Sequence, residues 1–174
     1  MKKLLKIFMV AVFILSSSAV SAESIYPDTL QNGNLVCVDG GMGVGYYAVK
    51  NSVYVDKYAP PFYELSIEII PVNFSDKYYR ENETYIDSPY TFGEKFVLYF
   101  KYNWDTKTVF HKQGGIWKVW DINRDYSHAE GNPMIPNSAE VAFFSIYQMK
   151  FFGSKLNGSG YPVVSDGVHS ALGI

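Results

Sequence analysis

With a single cysteine, Cys37, the chain excludes an internal disulfide, so its fold must be held by packing alone. Beyond the first 22 residues it lacks any apolar run near the roughly 20 residues that a membrane-crossing helix needs. A cluster of basic residues is also missing. Once three leader lysines are set aside, 12 basic side chains face 17 acidic ones, a balance of −5 that argues against nucleic acid or an anionic membrane as partner. The three histidines, His111, His128 and His169, stand at no metal-ligand spacing from one another or from Cys37, so neither metal nor cofactor is expected. The Gly-x-Ser-x-Gly elbow of hydrolases is absent.

The first stretch that is present is a leader. Lys2, Lys3 and Lys6 precede the apolar core Ile7–Leu15, and Val20-Ser21-Ala22 supplies small residues for cleavage, the pattern of a secretory signal peptide over residues 1–22. No cysteine follows the cleavage site directly, so a lipid anchor has no attachment residue. The expected product, residues 23–174, is exported and is periplasmic, envelope-associated or extracellular. Its length suits one domain, and 30 aromatic residues in the whole chain promise a sufficient core.

The mature chain reads as an antiparallel sheet followed by a helix. Leu35–Val38, Tyr46–Lys50 and Ser52–Asp56 are short strand candidates, and Asp39–Gly45 between the first two is glycine-rich. That cluster lacks the Gly-Lys-Ser/Thr of a phosphate loop and leads into a strand, so it reads as a turn or bulge. Pro60-Pro61 makes a tight connection into Phe62–Val72, where Tyr63, Leu65, Ile67 and Ile69 alternate with Glu64, Ser66 and Glu68, the period of a strand with one wet face. Asn73–Glu94 reads as a long polar loop. Lys95–Tyr102, Thr106–Lys112 and Ile116–Ile122 form a meander. After a loop to Pro136, Asn137 or Ser138 is placed to cap a helix with Glu140 completing a capping box, and Gly153 to stop it. The tail from Ser154 is rich in glycine and serine and reads as loose apart from Tyr161-Pro162-Val163-Val164. The expectation is an α+β domain with five to six strands, meander-rich, packed by one C-terminal helix.

Three groups of residues invite a functional reading. Asp125-Tyr126-Ser127-His128 gathers hydrolase residue types in one loop, making His128 and Asp125 the acid–base candidates of a small hydrolase acting on envelope polymers. A triad, however, needs groups converging from separate elements, and no catalytic residue is assigned. Carboxylates such as Glu64 and Glu68 fall on the wet face of their strand, an ordinary place for charge. The aromatic surplus is more telling. Tyr78, Tyr79, Tyr85 and Tyr90 lie in the long loop and Trp104 in the meander's first turn, where amphipathic rings offer a ligand-binding surface. Tyr99, Trp117 and Trp120 are expected to fill the space between sheet and helix.

Four segments carry a resemblance: Gly45-Tyr46-Tyr47 leading to Asn51–Val55, then Tyr58–Tyr63, then Tyr102–Thr106, then Ser138–Phe143 through Lys150–Gly153. Together they resemble a group of small exported proteins of unknown function from diderm Firmicutes. More distantly, the order of strands and final helix is similar to surface-adhesin protein E-like domains. That likeness implies a cell-surface or host-contact role, while the aromatic surface itself suggests an envelope polymer or a protein as partner. The adhesin group tends to carry a cysteine pair, and with Cys37 alone no disulfide carries over. A subunit that oligomerises through a strand edge is the remaining alternative.

Overall fold

The computed structural model describes residues 26–74, 90–120 and 133–174. The leader lies outside them. In chain order the strands are β1 (Thr29–Leu30), β2 (Leu35–Gly41), β3 (Val44–Val49), β4 (Tyr54–Ala59), β5 (Phe62–Phe74), β6 (Tyr90–Phe92), β7 (Phe96–Asn103), β8 (Thr108–Gln113) and β9 (Ile116–Val119). Two helices follow, α1 (Met134–Tyr147) and α2 (Asp166–Leu172).

All the strands join one antiparallel sheet built around β5. Thirteen residues long, β5 outruns any single neighbour, so each of its edges is served by two strands in succession. Along one edge β4 pairs with Phe62–Ser66 and β3 with Ile69–Asn73. Along the other, β7 pairs with Phe62–Ile69 and β6 with Val72–Phe74. The sheet continues outward from β3 through β2 to β1, and from β7 through β8 to β9. Pro60 and Pro61, joined by a cis peptide bond, turn β4 into β5. Nine strands stand where five or six were expected. The additions are short: β6 forms inside the stretch read as loop because the far end of β5 offers unpaired backbone groups there.

The alternation in β5 holds, yet both faces of the sheet acquire a core. Leu65, Ile67 and Ile69 point with Val36, Val38, Ala48 and Phe100 into the main core, which α1 and α2 cover. Val72 and Phe74, one step out of phase, point the other way and join Tyr26, Leu35 and Tyr47 in a second cluster on the opposite face. There Gly40 and Gly45 sit directly across from each other in the β2–β3 hairpin, and their missing side chains leave room for the Tyr26 ring. Tyr26 Oη accepts the Gly43 N–H at 3.1 Å, and Tyr47 Oη donates to the Pro27 carbonyl at 3.0 Å, so the segment before β1 is fastened over this cluster. The glycine-rich run is thus a hairpin turn, with Met42 and Gly43 both at positive φ.

Cys37 lies partly buried beside this cluster, its Sγ donating to the Asp39 carbonyl at 3.5 Å. Burial pushes its thiol up to about 11. Iodoacetamide should therefore modify native Cys37 roughly a hundredfold more slowly at pH 8 than it modifies the urea-unfolded chain, as followed by mass spectrometry. Equal rates would show that the thiol is neither shielded nor shifted.

The helical layer corrects the sequence reading in three places. α1 begins at Met134, with prolines at positions 133 and 136 where the first turn has no use for their missing N–H groups. Asn137 and Ser138 are therefore interior and buried. The helix stops at Gln148, in left-handed conformation with φ 54°, rather than at Gly153. The tail is not loose beyond Val164 either: Ser165 opens α2, Gly173 closes it at φ 74°, and Val168 joins Val163 and Val164 in the main core.

Candidate functional site

The candidate residues from the sequence fall in different places. Tyr78, Tyr79 and Tyr85, like Asp125 and His128, lie outside the described residues. Tyr90 opens β6 and is half-buried, its ring packed 5.7 Å from Phe74 and 5.5 Å from Phe92 at the far end of β5. Trp104 is 45% exposed in the β7–β8 turn, where its N–H donates to the carbonyl of Pro61 at the start of β5. The length of β5, about 40 Å at roughly 3.3 Å per residue, separates the two, so Tyr90 and Trp104 do not share a surface.

The three meander aromatics expected to fill the space under the helix divide between the faces. Trp120 does so, packing against Phe152 with ring centroids 5.2 Å apart. Tyr99 and Trp117 turn to the open face, opposite the helices. Tyr99 lies directly across from Ser66 on β7, Phe110 directly across from Lys101 on β8, and Trp117 directly across from Lys112 on β9. Between them stand two lysines. Lys101 Nζ is 4.9 Å from the centre of the Phe110 ring and 4.8 Å from that of Trp117; Lys112 Nζ is 5.2 Å from Tyr99 and 5.7 Å from Trp117. Rings and ammonium groups thus alternate across three strands, with Tyr99 38% and Val119 60% exposed beside them. Each cation–ring contact at such a site is worth about 0.5–1 kcal/mol and holds the lysine stem flat on the sheet.

Phe110, Lys101 and Lys112 were not singled out from sequence. The signal for them was the doubling of apolar character along β7, where Val97 and Tyr99 face one way and Leu98 and Phe100 the other, which a strand with one wet face does not need. Charge is segregated too. Residues 95–120 contain five lysines and one acid, Asp105, although residues 23–174 as a whole carry a net −5.

On the helix side, an open cleft of about 470 Å³ lies between the β7–β8 hairpin and residues 151–155. Tyr102, Trp120, Phe151 and Phe152 wall it, and among the described residues Lys107 and Lys155 are its only charged lining. Lys107 Nζ sits 3.6 Å from the centre of the Trp104 ring at the same turn.

The described titratable groups do not build a solvent-reachable catalytic centre. Glu140 and His169 approach at 3.6 Å between α1 and α2, but Glu140 is 0% exposed. Its carboxylate accepts the N–H groups of Phe151 at 3.1 Å and Phe152 at 2.7 Å, which fixes the chain as it leaves α1. Burial pushes its pKa up, opposed by those two N–H groups and by His169. Ser138, two residues away, is equally buried, its hydroxyl without a hydrogen-bond partner. His111 faces the helix side, where burial and then Lys118 lower its pKa. Among the described residues no three His, Cys, Asp or Glu side chains gather to hold a metal ion, and no helix is long and apolar enough to cross a membrane. Comparison with protein-family models, with curated proteins and with solved structures gives no match to this chain.

Proposed function

We propose that this is an exported, non-enzymatic recognition module of the cell envelope, and that it binds through the open face of β7–β9. The observation that carries the reading is the alternation of Tyr99, Phe110 and Trp117 with Lys101 and Lys112 on the face that neither described helix covers. Flat rings with polar tips supply contact area at small entropic cost and stack on the apolar faces of sugars, which suits an extended polymer lying along the strands. The leader-like residues 1–22 and the resemblance to small exported proteins agree with a ligand outside the cytoplasm.

Retention of the protein on native envelope fractions and purified peptidoglycan tests this. Replacing Tyr99, Phe110 and Trp117 by Ser, singly and together, should lower retention at least tenfold in the triple variant, with circular dichroism confirming an intact sheet. Undiminished retention by a folded triple variant would remove this face from consideration. The Ser variants of Tyr78, Tyr79 and Tyr85 form the companion arm and report whether the segment between β5 and β6 contributes.

One observation favours a second reading, a subunit that oligomerises by strand pairing. β9 ends the sheet path, and its Ile116 and Val119 are 66% and 60% exposed. Light scattering separates the two, because a module that acts alone stays monomeric at micromolar concentration.

A further inference from the structure

Resting on that face as the binding surface, the geometry points to an acidic glycan as its ligand: a polymer that offers sugar faces to the rings and carboxylates to Lys101 and Lys112. Both ammonium groups approach the same indole, at 4.8 and 5.7 Å from its centre, so they lie no farther apart than the sum of those distances, about 10.5 Å. Two like charges gathered around one ring repel, and among the described residues neither makes an ion pair.

An acid is at hand and is not used. Glu64 stands directly across from Lys101 in the β5–β7 register, on the same face, yet Lys101 reaches the other way, over β8 and β9 to Phe110 and Trp117. Glu68, four residues along β5, is occupied by Lys95 at 2.9 Å. The open face is therefore striped, with carboxylates along β5 and cations with rings along β7–β9. An anionic chain laid across the sheet would meet Glu64 and Glu68, whereas one laid along β8 meets the rings and the ammonium groups and no carboxylate of β8 or β9. Complementarity of charge thus fixes both the sign of the ligand and the direction in which it runs. A neutral glycan would leave the two lysines unanswered, and a polyanion without sugar rings would leave Tyr99, Phe110 and Trp117 without a stacking partner.

The test titrates the purified protein calorimetrically with three probes: polygalacturonate, the same polymer fully methyl-esterified, and polyphosphate. The acid form should bind at least tenfold more tightly than the ester and than polyphosphate, and more weakly as salt is raised. Lys101→Met with Lys112→Met keeps the apolar stems, and should bring the affinity for polygalacturonate down to that for the ester, with circular dichroism confirming an intact sheet. Equal binding of acid and ester, with both lost in the ring variants, would overturn the acidic ligand while leaving the recognition face standing. Polyphosphate binding as tightly as polygalacturonate would overturn the glycan. No binding of any probe, alongside ring-dependent retention on envelope fractions, also overturns this inference, whereas loss of ring dependence in those fractions overturns the face itself. Esterification alters the ligand and not the protein, so the acid–ester comparison does not depend on any variant folding.

Discussion

Glu140→Ala is expected to destabilise the protein by about 3–5 kcal/mol at pH 5, the cost of stranding the buried N–H groups of Phe151 and Phe152 and opening a void inside the helical layer. In a domain of this size that lowers the melting temperature by roughly 6–20 °C. Glu140→Gln keeps the volume but can accept only one of the two N–H bonds, so it should fall between wild type and Ala. The pH dependence has a definite sign. Because burial holds the folded-state pKa of Glu140 above its ordinary 4.5, the folded protein keeps a proton that the unfolded chain has released. The stability this group contributes is complete below pH 4.5, falls as pH rises toward the folded-state value, and is flat above it. Urea midpoints for wild type and Glu140→Gln should therefore converge as pH climbs from 4 and run parallel thereafter. Curves that diverge with rising pH would mean that His169 and the two N–H groups outweigh desolvation.

Asn137 carries the second large effect. Its Nδ2 donates to the Val38 carbonyl at 2.7 Å, and its Oδ1 accepts the Ser165 N–H at 3.0 Å, so one buried amide ties α1 to β2 and to the residue that opens α2. Asn137→Ala should cost about 2–4 kcal/mol, because both partners lose their bond where water does not reach easily. Asn137→Asp separates this role from helix capping. Aspartate caps a helix as well as asparagine does, so a cap would tolerate it at well under 1 kcal/mol. A clamp that must donate to Val38 would not, and a carboxylate beside that carbonyl should cost as much as Ala or more. Chemical denaturation of the three proteins decides between the roles.

That contrast marks where the sequence was legible and where it was not. Local periodicity located β5 and the meander, since Tyr63, Leu65, Ile67 and Ile69 repeat every second residue and Gly114-Gly115 mark a turn. An α+β sheet-and-helix domain follows from those patterns. What they hide is long-range pairing. Asn137 and Glu140 have the spacing of a capping box, but their partners are Val38, Phe151, Phe152 and Ser165, as many as 99 residues away. α2 escapes notice because seven residues in a glycine- and serine-rich tail carry almost no helical signal, and it is Val164 and Val168 in the core that hold it. The face proposed to bind was not located by the sequence, which put Tyr99 and Trp117 under the helix. Tyr99 and Trp117 stood out by type, but only the register of β7, β8 and β9 shows that they share one side with Lys101, Lys112 and Phe110 while Trp120 lies on the other.

The position of β5 also bears on the order in which the protein can assemble. Its partners on one edge, β3 and β4, precede it in the chain, while those on the other, β6 and β7, follow it. As the chain lengthens from its N-terminus, β5 can settle on the first pair while its second edge still presents a row of unpaired amides. Only when residue 103 is available is that edge closed, and only when residue 172 is available is the main core roofed by both helices. Until α1 is complete at residue 147 the apolar side chains of β5 lack the helix that packs on them, so the nascent chain is held back from a finished tertiary structure through most of its length, the state in which a polypeptide can still be threaded through a narrow channel.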